Sequence, residues 1–209
     1  SGNVFLAFAT PFPGSLMNFV APAVPVGAPV GALPEGEYIK GTKVTYDELM
    51  IRYQLIDDKD LSDLDPANTS SPCTKDLLLN AGEDPGAEVH VVTLYLYLSG
   101  NTLFCQARRD WIDPTIPGVL TNVKTQAATQ LVGNVQQMNI TYGVDSDADH
   151  AADYYTDAAN VPAASWKDVV SLRLSLVLKS ESDNLASSSS SYEIDGTTVT
   201  PSDKRLYRV

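Results

Sequence analysis

The sequence predicts a mainly antiparallel β-sheet domain with long loops and little helix. Two observations carry that reading. Several segments alternate apolar and polar residues with a period of two, and only one short stretch, Ala163 to Asp168, has the makings of a helical turn. The bulk numbers agree with a folded domain, since hydrophobic residues make up 44% of the 209 and charged residues 19%.

Val4 to Pro34 is apolar but carries Pro11, Pro13, Pro22, Pro25, Pro29 and Pro34. So many prolines forbid a regular helix and remove ladder donors. Residues 1–44 are therefore expected to form an apolar Pro/Gly-rich loop segment lying on a body made by residues 45–209, in one globular domain. In that body Leu49, Ile51, Tyr53 and Leu55 alternate as a half-buried strand does. An acidic, turn-rich loop from Asp57 to Pro72 leads to Cys73. Val89 to Leu98 is a strong strand, closed by Ser99-Gly100-Asn101, and Thr102 to Gln106 returns as a hairpin arm.

Met138, Ile140 and Tyr142 alternate in the next strand, and an Asp-rich loop follows from Val144 to Asp157. Ser165 precedes Trp166 in the single helical turn. Val170, Leu172, Leu174, Leu176 and Leu178 make the clearest strand, with Ser171, Arg173 and Ser175 expected to face out. Ser187 to Ser191 is low-complexity loop, and Asp203 to Val209 begins a last strand. The expected sum is one sheet of about five or six strands, one face of which needs a cover.

The net charge is -12. So acidic a surface repels phosphates and anionic membranes, which argues against direct nucleic-acid binding and points to cations or basic partners. No apolar run reaches the ~20 residues of a membrane helix. No signal peptide is visible either, and Ser1-Gly2-Asn3 reads as the start of a trimmed or mature fragment.

The two cysteines, Cys73 and Cys105, are either free thiols or one disulfide. The low pI and the Ser/Thr/Asn-rich loops favour the disulfide, and with it an extracytoplasmic setting. With no CxxC pair, and with His90 and His150 in unrelated contexts, a structural zinc site is not expected.

The sharpest local pattern is Asp145, Asp147, Asp149 and Asp153, with Ala151 placed to offer its carbonyl. Carboxylates at positions one, three, five and nine of a tight loop match the spacing that wraps oxygen ligands around Ca²⁺. Position six is His150 where an EF-hand loop wants glycine, and position twelve is Thr156 rather than a bidentate Glu. The competing reading is a solvated acidic loop. If calcium binds, it binds at the weak extracellular end, on the order of 10⁻⁴–10⁻³ M; no cofactor is required.

An enzyme would need a nucleophile and base, or an acid pair, held in a cleft. The nucleophile elbow, the P-loop, the dinucleotide fingerprint and the H-E-x-x-H motif are all absent, so no catalytic residue is assigned. Trp111, beside Arg108, Arg109 and Asp110, is expected to cover a sheet edge from a loop rather than to serve as a ligand platform.

Six segments in order resemble the PilW-like minor pilins of type IV pili. Asp47 to Gln54 resembles the family's D-x-L-x-[IV]-R-Y-Q strand. Asn101 to Cys105 resembles its N-x-L-[YF]-C segment, with Cys73 as the upstream disulfide partner. Val132 to Asp145 resembles its G-V-E-x-M-x-[VIL]-x-Y-G-V-D run. The Asp-rich loop, Trp166 with Val169 to Leu174, and Asp203 to Leu206 follow in the family's order.

The resemblance implies an α+β pilin-like fold in the full-length protein, whose N-terminal helix sits in the inner membrane before assembly and would cover the open sheet face. It implies a structural subunit that helps prime fibre assembly. Its partners would be other minor pilins, the major pilin and a tip adhesin, in fibres that serve adhesion, twitching motility or DNA uptake. It places the protein in the periplasm first and on the cell-surface pilus later. Two other readings fit the residues: a stand-alone calcium-dependent adhesin or ligand-binding module, and a periplasmic hydrolase.

Overall fold

Period-two alternation dominates the chain, and strands dominate the computed structural model, which describes residues 4–7, 38–43, 47–55, 72–74, 77, 89–112 and 120–209. In chain order the strands are β1 (Val4–Ala7), β2 (Ile39–Lys43), β3 (Asp47–Leu55), β4 (Val89–Ser99), β5 (Thr102–Ile112) and β6 (Leu120–Val132). They continue with β7 (Val135–Val144), β8 (Tyr154–Asp157), β9 (Val169–Lys179), β10 (Tyr192–Ile194), β11 (Thr197–Val199) and β12 (Tyr207–Arg208). Among the described residues a single 3-10 turn spans Ala163–Asp168.

Ten of these strands form two five-stranded sheets rather than one sheet of five or six, and β10 and β11 pair as a separate hairpin. β2-β3-β4-β5-β6 is an antiparallel meander, and the second sheet runs β1-β9-β7-β8, with β12 also on β9. The β4–β5 hairpin turns at Gly100-Asn101. Gly100 takes φ 59 there, at the position where a type II′ turn wants glycine. The chain crosses between sheets at Gly133-Asn134, so β7 follows β6 in sequence yet pairs with β9. The Val135 N–H donates to Asn101 O and the Lys179 N–H to Asn134 O, both at 2.9 Å, which pins that corner.

The sheets share one core. Leu49, Leu98 and Leu103 come from the meander, and Met138, Ile140, Tyr142 and Leu172 from the second sheet. Burying each such side chain stabilises the fold by roughly 1.5–3 kcal/mol. Trp166 packs edge-on to Tyr142 with ring centroids 5.0 Å apart. A smaller cluster of Leu77, Val92 and Ala107 lies farther along the same face of the meander. On its opposite face Met50, Val91 and Tyr95 are also buried, and Tyr95, Tyr97 and Phe104 stack in a row. In addition, Arg108 Nε donates to Asp110 Oδ1 at 2.6 Å on that face.

Several expectations are corrected. Val4–Ala7, read as loop, is β1 and pairs with Leu174 to Ser171. Residues 8–37, and with them the rest of the Pro-rich segment and its boundary with the body at residues 44–46, lie outside the described residues, as does most of the loop before Cys73. β6 was not anticipated, because its Thr, Gln and Asn residues blur the alternation. Trp111 lies within β5, not in a loop.

Ser175 faces away from the core yet is 3% exposed, since the β10–β11 hairpin folds over it. Asp195 in that hairpin's Asp-Gly turn accepts from Ser175 Oγ and from Asn139 Nδ2, each at 2.9 Å. A register shift at Gly143/Val144 puts Val169 in the core in place of Val170.

Candidate functional site: the acidic loop and its edge strand

β7 delivers the chain at Val144 to a loop that returns as β8. The loop is closed at its base, where the Asp153 N–H donates to Val144 O, and it is tied to the 3-10 turn by the Asp145 N–H on Asp168 O, both 2.9 Å. Asp145 organises the interior. Its Oδ1 accepts from the Ala148 N–H at 2.7 Å and the Asp147 N–H at 3.2 Å, and its Oδ2 accepts from the His150 N–H at 2.9 Å. The wrap needs left-handed backbone at Ala148 (φ 65) and His150 (φ 70), so His150 takes the conformation that glycine takes at position six of an EF-hand loop.

The carboxylates do not behave alike. Burial works to raise Asp145, but the N–H groups of His150, Ala148, Asp147 and Asp149 outweigh it and hold the group below the usual carboxylate value. For Asp147 the Asp149 N–H works downward, yet repulsion from the Asp149 and Asp153 carboxylates wins and the group sits above its usual value. Asp153 is held low by the Ser146 hydroxyl and N–H, each 2.7 Å from Oδ2.

Of the expected metal ligands, the fold brings together Asp145, Asp147 and Asp149, whose carboxylate oxygens lie within 4.8 Å of one another. Asp153 stands apart from that group with Oδ2 turned to Ser146. The Ala151 N–H donates to Asp149 Oδ1 at 2.8 Å. Three hard oxygens so placed suit Ca²⁺ or Mg²⁺ chemistry, with further oxygens needed to complete a shell.

Beside the loop lies a cleft of ≈ 310 Å³ lined by Tyr38, Ser146, His150, Lys167, Asp168 and Val170. The Tyr38 hydroxyl donates to Lys167 O at 2.9 Å across it. On the other side, β8 ends its sheet and presents Tyr154 and Tyr155, 42% and 41% exposed. The Tyr155 ring lies 5.0 Å from the Arg173 guanidinium. Sequence reasoning placed Tyr154 to Asp157 in the loop, although Tyr-Tyr-Thr is strand-forming composition.

Cys73 and Cys105 are joined in a disulfide, with Cα atoms 5.6 Å apart and Cys105 fully buried. It anchors the loop at Cys73 to β5, and Gln126 Nε2 holds the same loop through Pro72 O at 2.5 Å. Among the described residues no helix is long and apolar enough to cross a membrane.

No curated protein and no solved structure matches the chain. A family model described as Type IV Pilus-assembly protein W matches residues 99–209, from the last residue of β4 through β12, and so takes in the acidic loop, the Trp166 turn and both strands that hold them. The resembling segment at Asp47 to Gln54 lies outside that match. With just over half its length matched in one continuous span, the chain belongs to the PilW family of type IV pilus-assembly proteins.

Proposed function

We propose that the chain is a structural minor pilin that helps prime type IV pilus assembly, in a tip complex with other minor pilins. It works by surface complementarity, without turnover, in the periplasm before assembly and on the surface fibre afterwards. The observation that carries the reading is the continuous family match over residues 99–209. The chemistry of the acidic loop agrees with it: Asp145 and Asp153 accept hydrogen bonds from the loop backbone and from Ser146 and so shape the loop.

The test is a strain lacking the protein, with surface pili sheared off and the major pilin quantified. Loss of pili, restored by the wild-type chain, supports the role. Pili at normal abundance without the chain sink it.

A second element of the proposal is weak calcium binding by the loop, with Asp145, Asp147 and Asp149 as ligands and water or the Ala151 carbonyl completing the shell. It is favoured by the 4.8 Å grouping of three carboxylate oxygens together with the His150 backbone. Titration calorimetry of Ca²⁺ into EDTA-stripped protein should give a saturable signal that Asp147→Ala abolishes. No heat up to about 5 mM, several times the weak extracellular range, would leave the loop merely solvated.

A further inference from the structure

β8 is the terminal strand of its sheet, and among the described residues nothing pairs with its outer edge. Such an edge is a template for another strand, and proteins usually blunt it with lysine, proline or a cover. Tyr154-Tyr155-Thr156-Asp157 has no lysine and no proline. Tyr154 and Tyr155 are the two aromatic members of the four large apolar side chains that stand exposed among the described residues. Tyrosine half out of water, with an apolar body and a polar tip, is the side chain that interface centres favour.

At the edge itself Lys43 lies 3.8 Å from Asp157 and Arg173 lies against the Tyr155 ring, but the loop beside it is acidic. Asp147, Asp149 and Asp153 are exposed there, and among the described residues none of the three forms an ion pair. The Asp147 and Asp149 carboxylates lie within 4.8 Å of one another and repel. A second copy of a chain of net charge -12 would add to that repulsion, whereas a basic partner would relieve it.

We propose that the β8 edge, with Tyr154, Tyr155 and the flanking Asp147, Asp149 and Asp153, docks an extended Lys/Arg-bearing segment of another pilus-assembly subunit by strand addition. This rests on the assembly role proposed above and names the chemistry of one partner. Main-chain pairing to β8 supplies the hold, and the acidic loop selects the sign of the partner and speeds its arrival.

The test uses the protein in EDTA at low salt, followed by amide NMR, with three eight-residue peptides. One alternates Lys and Thr, one is the same peptide N-methylated on alternate residues, and one alternates Glu and Thr. The Lys-Thr peptide should shift the amides of Tyr154 to Asp157. N-methylation, which removes ladder donors, should weaken binding at least about tenfold. The Glu-Thr peptide should not bind. Asp147→Asn with Asp149→Asn, which keeps an acceptor oxygen at each position, should weaken the Lys-Thr peptide about three- to tenfold with Tm no lower than that of the wild type.

No shift up to about 1 mM peptide, where even a weak complex would register, overturns the proposal. Equal binding of the N-methylated peptide, or shifts confined to the loop, also overturn it, because they would mean plain counter-ion attraction. Failure here with pili still lost in the deletion strain removes the docking edge alone, whereas pili that persist without the chain remove the assembly role.

Discussion

The side chain of Asp47 accepts a 2.5 Å hydrogen bond from the backbone N–H of Ile140, 93 residues along the chain, and so fastens the first residue of β3 to the middle of β7. β8 covers only Thr141 to Val144 of that edge, leaving the Ile140 N–H without a ladder partner. Asp47 supplies the acceptor from the other sheet. Asp47→Ala should therefore cost about 1–3 kcal/mol in urea denaturation, the penalty for an orphaned buried donor. Unchanged stability would mean that the contact is not what joins the sheets.

Asp47 and Asp145 predict opposite pH dependences. Burial raises Asp47, against the Ile140 N–H and Lys43, so its contribution is full below about pH 3.9 and is lost as pH rises through the raised folded value. Asp47→Asn, which keeps an acceptor, should gain on the wild type between pH 3.5 and 7. For Asp145 burial is outweighed by the loop's N–H groups, so its contribution is present above about pH 3.9 and fades as pH falls through the lowered value. Asp145→Asn should lower Tm at pH 7, and the difference should shrink as pH falls below about 3.9. Melting curves across that range check both signs.

The disulfide closes a loop with a sequence separation of 32. In the chain-entropy model, removing it as Cys73→Ser with Cys105→Ser costs about 3–4 kcal/mol. Reduction of the wild type should reproduce most of that loss in denaturant titrations. A cost below about 1 kcal/mol would show that the unfolded chain gains little freedom from opening this loop.

Gly41 lies under Tyr142: a Cβ added there would sit 1.8 Å from the tyrosine hydroxyl oxygen and 2.4 Å from Cζ. Gly41→Ala should destabilise by about 1–3 kcal/mol through overpacking. The Tyr142 hydroxyl is buried and has no hydrogen-bond partner among the described residues, so Tyr142→Phe should be neutral or stabilising. It should also rescue part of the Gly41→Ala loss, because the ring carbon still crowds the new methyl. A double-mutant cycle by chemical denaturation would show the coupling, and strict additivity would count against the contact.

The residues themselves determined the alternating strand Leu49 to Leu55, the strand in the β-branched and aromatic run Val89 to Leu98, and the turns that need a particular backbone, such as Gly100. They also determined the ordered segments that resemble the PilW family, because short-range pattern is enough to write each of these. The spacing of Asp145, Asp147 and Asp149 was legible in the same way.

Only the tertiary structure decided that the strands divide between two sheets, since a corner at Gly133-Asn134 changes pairing partners without changing local composition. It alone turned Asp153 toward Ser146, buried Ser175 beneath a hairpin and set Asp47 against Ile140. Each of these depends on which distant backbone groups are left unpaired when the sheets close, and alternation along a strand carries no record of what will lie across from it.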